Sequence, residues 1–472
     1  MTAPPSSVGE ATLGPAGSSG AGGMSLEGMH GSVDVPDRSA GRFRQYGAFF
    51  GPALLISVGY MDPGNWGTDL QSGAQFKYAL LWVVALASLM AIVLQVLSAR
   101  LGLATGKDLA QACRAWYPRW TRVPNWILCE IAIGACDLAE VLGSAVAINL
   151  LFHIPIFWAV LITAFDVLLL LALQRFGMRL IEAVVAVLVA TIAVCYGIEL
   201  FMLSRTVPDF AEMGGAMVHP SLGQTGMATL AVGIIGATVM PHNLYLHSAL
   251  VQSRKLRHDD DSKRSAMRYN TLDTALALGV AFFVNAAILV LAATVFHGHD
   301  SVTVGGDTYR FNEDTDWIRV AFLTLEPLLG TFAASLLFAV ALLASGQSST
   351  ITGTLAGQVV MEGFLNWRVT PWMRRLITRL LAVLPAILII GLRGESSIND
   401  LLVLSQVVLA LQLPFAMFPL LHFASRRKFM GRWRSGPLLL AAGWLSAILI
   451  TVMDLYGLPD AFNDAWKVLA GG

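Results

Sequence analysis

Long apolar stretches follow one another along most of this chain, and short polar segments separate them. About 20 consecutive apolar residues are needed to cross the hydrocarbon layer of a membrane. Eleven stretches approach this length, which predicts an all-α polytopic membrane protein. They lie near residues 46–75, 78–101, 123–150, 156–174, 181–203, 226–254, 271–296, 328–348, 375–392, 400–423 and 436–457.

The first and the sixth stretch are each interrupted by a polar break that contains proline. The breaks are Asp62–Asn65 (DPGN) and Met240–Asn243 (MPHN). Proline removes a backbone donor and clashes with the preceding turn, so each helix should unwind there and leave carbonyl oxygens without helical partners. Such backbone is tolerated at membrane depth only where it faces protein or a wet cavity. Interrupted helices at matching places in two halves therefore indicate the binding site of a transporter.

The basic residues give the topology, because Lys and Arg gather in cytoplasmic loops. Every other predicted loop is basic, which places the N-terminus in the cytoplasm and the C-terminus outside. The basic groups are Arg42 and Arg44; Arg100, Lys107, Arg114, Arg119 and Arg122; Arg175 and Arg179; Arg254, Lys255, Arg257, Lys263, Arg264 and Arg268; Arg368 and Arg374; and Arg426, Arg427, Lys428, Arg432 and Arg434.

The spans divide into two groups of five, in residues 43–203 and 226–423, and each group begins with its broken helix. Because five is odd, the second group must enter the membrane from the opposite side. The two groups are then inverted repeats, with their breaks facing each other near the midplane. An eleventh span follows at 436–457. Residues 1–42 are rich in Gly, Ser, Ala and Pro without hydrophobic periodicity, so we expect a disordered cytoplasmic tail.

The composition agrees with a membrane protein, since 56% of the 472 residues are hydrophobic and only 13% are charged. The 31 basic and 31 acidic residues cancel, so the net charge gives no sign of a nucleic-acid partner. Cys113, Cys129, Cys136 and Cys195 have neither metal-site nor disulfide spacing, and we interpret them as small core residues. No nucleophile with a base, phosphate loop or nucleotide motif is found, so we expect neither an enzyme nor a bound cofactor.

The two breaks offer ligands for a cation. They are the Asp62 carboxylate, the Asn65 amide oxygen, the Met240 thioether, and bare carbonyls near Gly59 and Ala237. Oxygen ligands alone favour Mg²⁺ or Ca²⁺, whereas sulfur adds a preference for softer transition ions. The alternative is that Met240 is a flexible core residue and that Asp62 only caps a half-helix.

Three segments, in this order, resemble the Nramp divalent-metal transporters. They are DPGN at Asp62–Asn65, ATVMPHN at Ala237–Asn243 followed by LYLHS, and GQSSTITG at Gly346–Gly353 followed by Gly357-Gln358 and by MEGF at Met361–Phe364. The resemblance covers residues 43–457 and implies a LeuT-type fold with proton-coupled uptake of Mn²⁺ and Fe²⁺. The third segment is too polar to span a membrane, so we place 346–364 at the cytoplasmic end of the eighth span.

The resemblance also implies a set of metal ligands. They are Asp62, Asn65, the Ala237 carbonyl and Met240, with the carbonyl of Gly59 as the contribution of the first helix and Gln406 at a family position near the metal. The family commonly has alanine where this chain has Gly59, and a main-chain ligand tolerates that change. Magnesium-transporting relatives lack the methionine, so Met240 argues against that branch.

Ionisable residues inside the apolar spans need an explanation of their own, because they are expensive in a bilayer. Glu130, Asp137 and Glu140 lie on the third span at i, i+7 and i+10, which is one helical face. In the Nramp pattern the matching carboxylates lead protons toward the cytoplasm, and Arg374 and Arg375 resemble their cationic partners. The alternative is a structural salt bridge, above all for Glu130 with Arg374.

Two histidines follow the second break. His242 suits a proton relay, because an unperturbed histidine titrates near physiological pH, and we assign His247 to the same route. A zinc pair is disfavoured, since their i, i+5 spacing puts the two side chains on different helical faces.

Together these features predict proton-coupled uptake of Mn²⁺ or Fe²⁺ across the bacterial plasma membrane by alternating access. The expected partners are divalent metal ions, protons and the lipid bilayer, without nucleic acid, and a monomer is the working expectation. The alternatives are a LeuT-type carrier of an organic solute, a magnesium-transporting relative, and a metal sensor or channel. An amino-acid carrier would present half-helix N-termini to a carboxylate, which Asp62 would repel.

Overall fold

The computed structural model is almost entirely helical. It describes residues 30–36, 41–165, 178–203, 209–257, 259–299, 301–304, 307–310, 315, 317–329, 332–367, 371–394 and 397–470. The α-helices are α1 (Arg42–Phe49), α2 (Pro52–Gly59), α3 (Pro63–Phe76), α4 (Leu81–Thr105), α5 (Leu109–Trp116), α6 (Arg122–Phe152), α7 (Ile156–Thr163), α8 (Met178–Leu203), α9 (Phe210–Val218), α10 (Met227–Val239), α11 (Pro241–Leu250), α12 (Asp260–Val295), α13 (Trp317–Leu329), α14 (Phe332–Leu365), α15 (Pro371–Arg393), α16 (Ser397–Ser425), α17 (Arg427–Met430) and α18 (Pro437–Ala470).

The predicted spans correspond to these helices, and the all-α membrane architecture is confirmed. Among the described residues, eight helical stretches are long and apolar enough to cross a membrane, and Leu376–Leu392 is a shorter apolar helix. The first predicted span is divided between α2 and α3, and the sixth between α10 and α11, as the two proline breaks predict. The second half of the fourth predicted span lies outside the described residues.

The broken helices sit at the centre of the bundle. Helix α3 packs against α12, α10 and α16, while α2 packs against α12, α14 and α8. Helix α6 lies along α14 and α16 and also contacts α3. Every residue of α2 and of α10 is buried. The unwound backbone is therefore surrounded by protein, which is the condition under which it is stable at membrane depth.

The polar segment 346–364 forms the C-terminal part of the helix that contains the eighth predicted span, and its placement at the cytoplasmic end stays a prediction. It continues α14, which runs unbroken for 34 residues. Hydroxyl side chains in this segment are compatible with a helix because they donate hydrogen bonds to backbone carbonyls of α14. For example, the Thr354 hydroxyl donates to the Thr350 carbonyl over 2.8 Å. Ser345, just before this segment, donates to the Met61 carbonyl, so the polar part of α14 begins level with the first break.

Within the described residues, four short strands accompany the helices. Strands β1 (Val33–Asp34) and β2 (Arg254–Lys255) are parallel, and β3 (Ser301–Val304) and β4 (Asp307–Arg310) form an antiparallel pair. Most of the tail predicted to be disordered lies outside the described residues. Residues 33–34 within it are an exception, because β2, which closely follows α11, supplies them with a backbone partner.

Candidate metal-binding site

The break between α2 and α3 is shaped by Asp62 and Pro63. Pro63 occupies the first position of α3, and the Asp62 carboxylate caps that helix by accepting a hydrogen bond from the Asn65 backbone N–H over 2.9 Å. In a continuous helix the carbonyl of Gly59 would accept from the backbone of residue 63. Because residue 63 is proline and has no N–H, this carbonyl is left without a helical partner.

The break between α10 and α11 has the same arrangement, with Pro241 at the first position of the second helix. Met240 ends α10 and precedes α11, with φ 39° and ψ 105°. A positive φ is uncommon for a residue with a side chain and marks strained backbone. The carbonyl of Ala237 lies four residues before Pro241, so it too lacks its helical donor. Each break thus exposes one carbonyl for the same reason.

The oxygens of the two breaks converge on a single nitrogen. The side-chain amide of Asn65 donates from Nδ2 to Asp62 Oδ1 over 2.6 Å, to the Ala237 carbonyl over 3.1 Å and to the Gly59 carbonyl over 3.4 Å. An amide nitrogen carries only two hydrogens, so three acceptors around it form a group richer in oxygen than the amide can satisfy. Such a group is a suitable environment for a cation.

The Asn65 side chain is oriented from its other end. Its Oδ1 accepts from Asn285 Nδ2 over 3.2 Å and lies 3.5 Å from the Thr238 hydroxyl. Asn285, on α12, also donates to the Tyr60 carbonyl in the first break over 2.8 Å. Asn285 is not among the ligands predicted from the sequence, although a polar residue inside an apolar span is a usable signal.

Met240 brings a sulfur atom to the same place. Its Sδ accepts from Asn243 Nδ2 over 3.4 Å. A Cβ on Gly59 would lie 3.0 Å from this sulfur and 2.4 Å from Asn243 Nδ2. The absence of a side chain at Gly59 therefore allows the two breaks to approach this closely. From the sequence alone, glycine at this position is only a tolerated replacement for alanine.

Gln406, on α16, covers the first break. Its Nε2 would lie 1.8 Å from a Cβ at Gly64 and donates to the Ser405 hydroxyl over 2.9 Å. Its Oε1 has no hydrogen-bond partner among the described residues, and the same is true of Asp62 Oδ2. Both side chains are fully buried. Two oxygen acceptors are thus held beside the convergent group.

The carboxylates of α6 lie along one side of this region, as their spacing predicts. Glu140 accepts from the Thr350 hydroxyl over 3.1 Å and forms an ion pair with Arg379 at 3.7 Å. Asp137 is buried and interacts electrostatically with His242 of the second break. These residues link the convergent oxygens to α14 and α15.

Glu130 lies nearer the start of α6 than Asp137 and Glu140 do. Hydrogen bonds from Arg374 and Trp126 hold its carboxylate. Both of its carboxylate oxygens accept from Arg374 Nη2, over 2.9 and 3.0 Å, and Trp126 donates to one of them. The side chain of Arg375 lies outside the described residues. Arg379, one turn after Arg375 on α15, forms an ion pair with Glu140. It was not predicted as a partner because it falls inside a predicted apolar span.

His247 does not join the carboxylates of α6. Its Nδ1 lies 3.0 Å from Gln95 Oε1, and its Nε2 lies 3.5 Å from Asn270 Nδ2. Gln95 in turn donates to the Tyr60 hydroxyl over 2.7 Å. The helical spacing that separates His247 from His242 places it in this second network, on α4 and α12.

A buried ion pair closes one end of the bundle. Arg254 donates to Glu182 Oε1 over 2.6 Å and to the carbonyls of Ala48 and Phe50 over 3.0 and 2.9 Å. Both charged side chains are almost completely buried. Arg254 therefore ties the junction of α1 and α2 to α8 and to the end of α11.

No cluster of three His, Cys, Asp or Glu side chains able to hold a metal ion occurs in the described part of the chain. The two breaks instead bring together one carboxylate with amide, carbonyl and sulfur donors. The family model described as "Natural resistance-associated macrophage protein-like", Nramp, matches residues 53–459. This chain belongs to the Nramp family. The resemblance found in the sequence is confirmed.

Similar proteins agree with this assignment. The divalent metal cation transporter MntH of a Nostoc species is 49% identical over 92% of this chain and 95% of its own length. The MntH of Xanthomonas campestris is 51% identical over 91% of this chain and 94% of its own length. These Nramp relatives are thus similar over nearly the whole protein.

Solved structures agree on the fold. The crystal structure of a manganese transporter from Eremococcus coleocola is 37% identical, covers 93% of this chain and 91% of its own, and superposes with a TM-score of 0.80. MHP1, a nucleobase-cation-symport-1 family transporter, has a TM-score of 0.55 at 15% identity, covering 94% of this chain and 96% of its own. The latter likeness concerns the fold alone, and the predicted LeuT-type architecture is confirmed.

Proposed function

We propose that this protein moves Mn²⁺ or Fe²⁺ into the cell across the bacterial plasma membrane, together with protons, by alternating access. The observation that carries the proposal is the convergence of Asp62 Oδ1 and the Gly59 and Ala237 carbonyls on one buried point beside the Met240 sulfur. Family membership and relatives named as divalent metal cation transporters support the same conclusion.

The donor set favours a transition ion. Two carbonyls, a carboxylate and an amide would suit any hard divalent cation, whereas the Met240 thioether adds affinity for softer ions. To bind a cation, the Asn65 side chain turns its oxygen toward the point that its nitrogen occupies. Gln406 Oε1 supplies a further oxygen from α16. An organic solute carrier is disfavoured, because the buried carboxylate of Asp62 repels an anionic group.

The broken helices also provide the moving parts. Helix α2 is a short segment joined to α3 only by the unwound residues 60–62, so it can tilt without bending a continuous helix. In this structure the ligand residues are buried, and Arg254 holds the junction of α1 and α2 against Glu182. Release of this ion pair would open that end of the bundle. The basic loops place it on the cytoplasmic side.

The proton route is proposed beside the metal rather than through it. Asp137 and Glu140 follow one face of α6, Glu140 is paired with Arg379, and His242 is within electrostatic range of Asp137. Glu130 and Arg374 continue this face toward the start of the helix. The metal and the proton are substrates, and no resident cofactor is required. We expect a monomer to suffice, because the ligands all come from one chain.

Flux measurements in proteoliposomes test the proposal. Asp62→Ala removes the one formal charge among the proposed ligands and should abolish Mn²⁺ uptake. Asp454→Asn is the matched control, because Asp454 is another buried carboxylate, on α18, whose oxygens have no hydrogen-bond partner among the described residues. This control should transport normally. Mn²⁺ uptake at the wild-type rate in Asp62→Ala would contradict the assigned site.

A further inference from the structure

Cys136 is a sulfur-bearing residue close to the two breaks. It lies on α6, one turn before Glu140, and is 2% exposed. It packs in a small buried cluster with Met240, Ala132 and Leu409, separate from the main core. Cys136 and Met240 are therefore members of the same small buried cluster.

The polar surroundings of Cys136 are those of the metal site. Its Sγ donates to Glu140 Oε1 over 3.6 Å. The thiol also interacts electrostatically with Asp62 and Asp137. Asp62 is completely buried, and its Oδ2 has no hydrogen-bond partner among the described residues. The unpartnered carboxylate oxygen of Asp62 and the thiol of Cys136 therefore belong to the same buried region as Met240.

We infer that Cys136 is a second sulfur donor at the edge of the metal site and that it shifts the preference of this transporter toward thiophilic divalent cations, with Cd²⁺ as the probe. The inference deepens the proposed function and rests on it. Sulfur ligands select softer metals, whereas carbonyl and carboxylate oxygens suit hard ions such as Mn²⁺. A second sulfur would therefore favour Cd²⁺ over Mn²⁺ at one and the same site.

The chain offers a matched control on the same helix. Cys129 is two turns before Cys136, is also fully buried, and packs in the main core instead of the Met240 cluster. Its charged neighbours are Glu130 and Arg374, not the residues of the breaks. Replacing either cysteine by serine removes one buried sulfur from α6, but only one of the two replacements removes it from beside Met240.

The test is competition between Cd²⁺ and Mn²⁺ for uptake into proteoliposomes. In Cys136→Ser the apparent affinity for Cd²⁺ relative to Mn²⁺ should fall about tenfold, as is typical when a supporting group of a metal site is lost. In Cys129→Ser the ratio should equal that of wild type. An unchanged ratio in Cys136→Ser, or an equal change in both variants, would overturn the inference.

Calorimetric titration with Cd²⁺ alone gives a readout that does not depend on transport. The wild-type protein should bind Cd²⁺ more tightly than Cys136→Ser, and Cys136→Ala replaces the latter if the serine variant does not fold. Equal Cd²⁺ affinities would reject the role of Cys136, whatever the flux results. Failure of the wild-type protein to transport Mn²⁺ while this difference persists would reject the proposed function and retain the sulfur at the site.

Discussion

Asn65 and Ala237 join the two helix breaks, because the side-chain amide of one donates to the carbonyl of the other over 3.1 Å. The two residues are 172 positions apart in the chain. The same amide also bonds to Asp62 and Gly59. Asn65 therefore holds together the oxygens that we propose as ligands, and its side chain must turn when a cation takes the place of its amide nitrogen.

Replacing Asn65 by aspartate should expose this role. The variant loses the donor and adds a second buried carboxylate beside Asp62, and an uncompensated buried charge costs about 3–5 kcal/mol. We expect a lower melting temperature without metal and a partial recovery in saturating Mn²⁺. Asn149→Asp is the control, because its amide donates to Ile154 at the end of α6, away from the breaks. Equal effects of Mn²⁺ on both variants would contradict this role.

Met240→Ala should loosen metal selection. The variant keeps the oxygen donors and loses the thioether, so it should still transport Mn²⁺, more weakly, and should admit Ca²⁺ or Mg²⁺. Uptake of each ion in proteoliposomes measures the change. Met90→Ala, in the core of α4, removes a buried methionine elsewhere and should not change selectivity. If Met240→Ala excludes Ca²⁺ as well as the wild type does, cavity geometry discriminates between the ions, not sulfur.

Glu140→Gln should separate proton movement from metal binding. Glu140 contacts Thr350 and Arg379, whereas the ligands of the proposed function lie on the two breaks and on α16. We expect weaker metal-driven proton influx, or a weaker dependence of uptake on external pH, with a nearly unchanged metal affinity by calorimetry. Internal pH and Mn²⁺ entry are followed at two external pH values, with Asp454→Asn as control. Proton influx equal to wild type would reduce Glu140 to a packing residue and would leave His242 as the route.

Arg254→Ala should destabilise the closed end of the bundle. The substitution leaves Glu182 buried beside the exposed Arg179 alone, and breaking such a buried pair costs about 3–5 kcal/mol. The melting temperature should fall, and a thiol introduced at Ser57 on α2 should become accessible to a water-soluble reagent. Arg179→Ala removes a half-exposed partner of the same carboxylate and should change stability by about 1 kcal/mol or less. A larger effect at Arg179 would show that the buried ion pair is not what holds this end closed.

The sequence predicts the broken helices and their ligands because both follow from local chemistry. Pro63 and Pro241 interrupt apolar spans, and each leaves a carbonyl bare four residues earlier, which requires no tertiary information. The position of α6 beside the site was implied by the resemblance to the Nramp family, and the spacing of its carboxylates indicated only that they share one face. The ligand assignments themselves stay predictions.

Long-range partners were not accessible in this way. Arg379 pairs with Glu140, which lies 239 positions earlier in the chain. A hydropathy window registers Arg379 only as a charge inside an apolar span. That 346–364 continues α14 without a break was not evident either, because a hydropathy window does not register that its hydroxyls bond to the backbone of α14 itself. Strand β1 was not predicted, because a strand of two residues shows no periodicity. Its partner strand lies 221 positions later, where Arg254 pairs with Val33.

The prolines of the breaks also bear on how natural variants of this protein should be read. Ala237 is proposed to bind the ion through its main chain only, and Pro241 supplies no ligand, so Pro241 could be taken for the less important residue. We expect the opposite: substitutions at Pro241 should impair transport more than substitutions at Ala237. A missense change at Pro241 restores a backbone N–H four residues after Ala237, and this N–H can occupy the carbonyl that we propose as a metal ligand. A metal ligand can thus be lost by mutation of a residue that donates nothing to the metal.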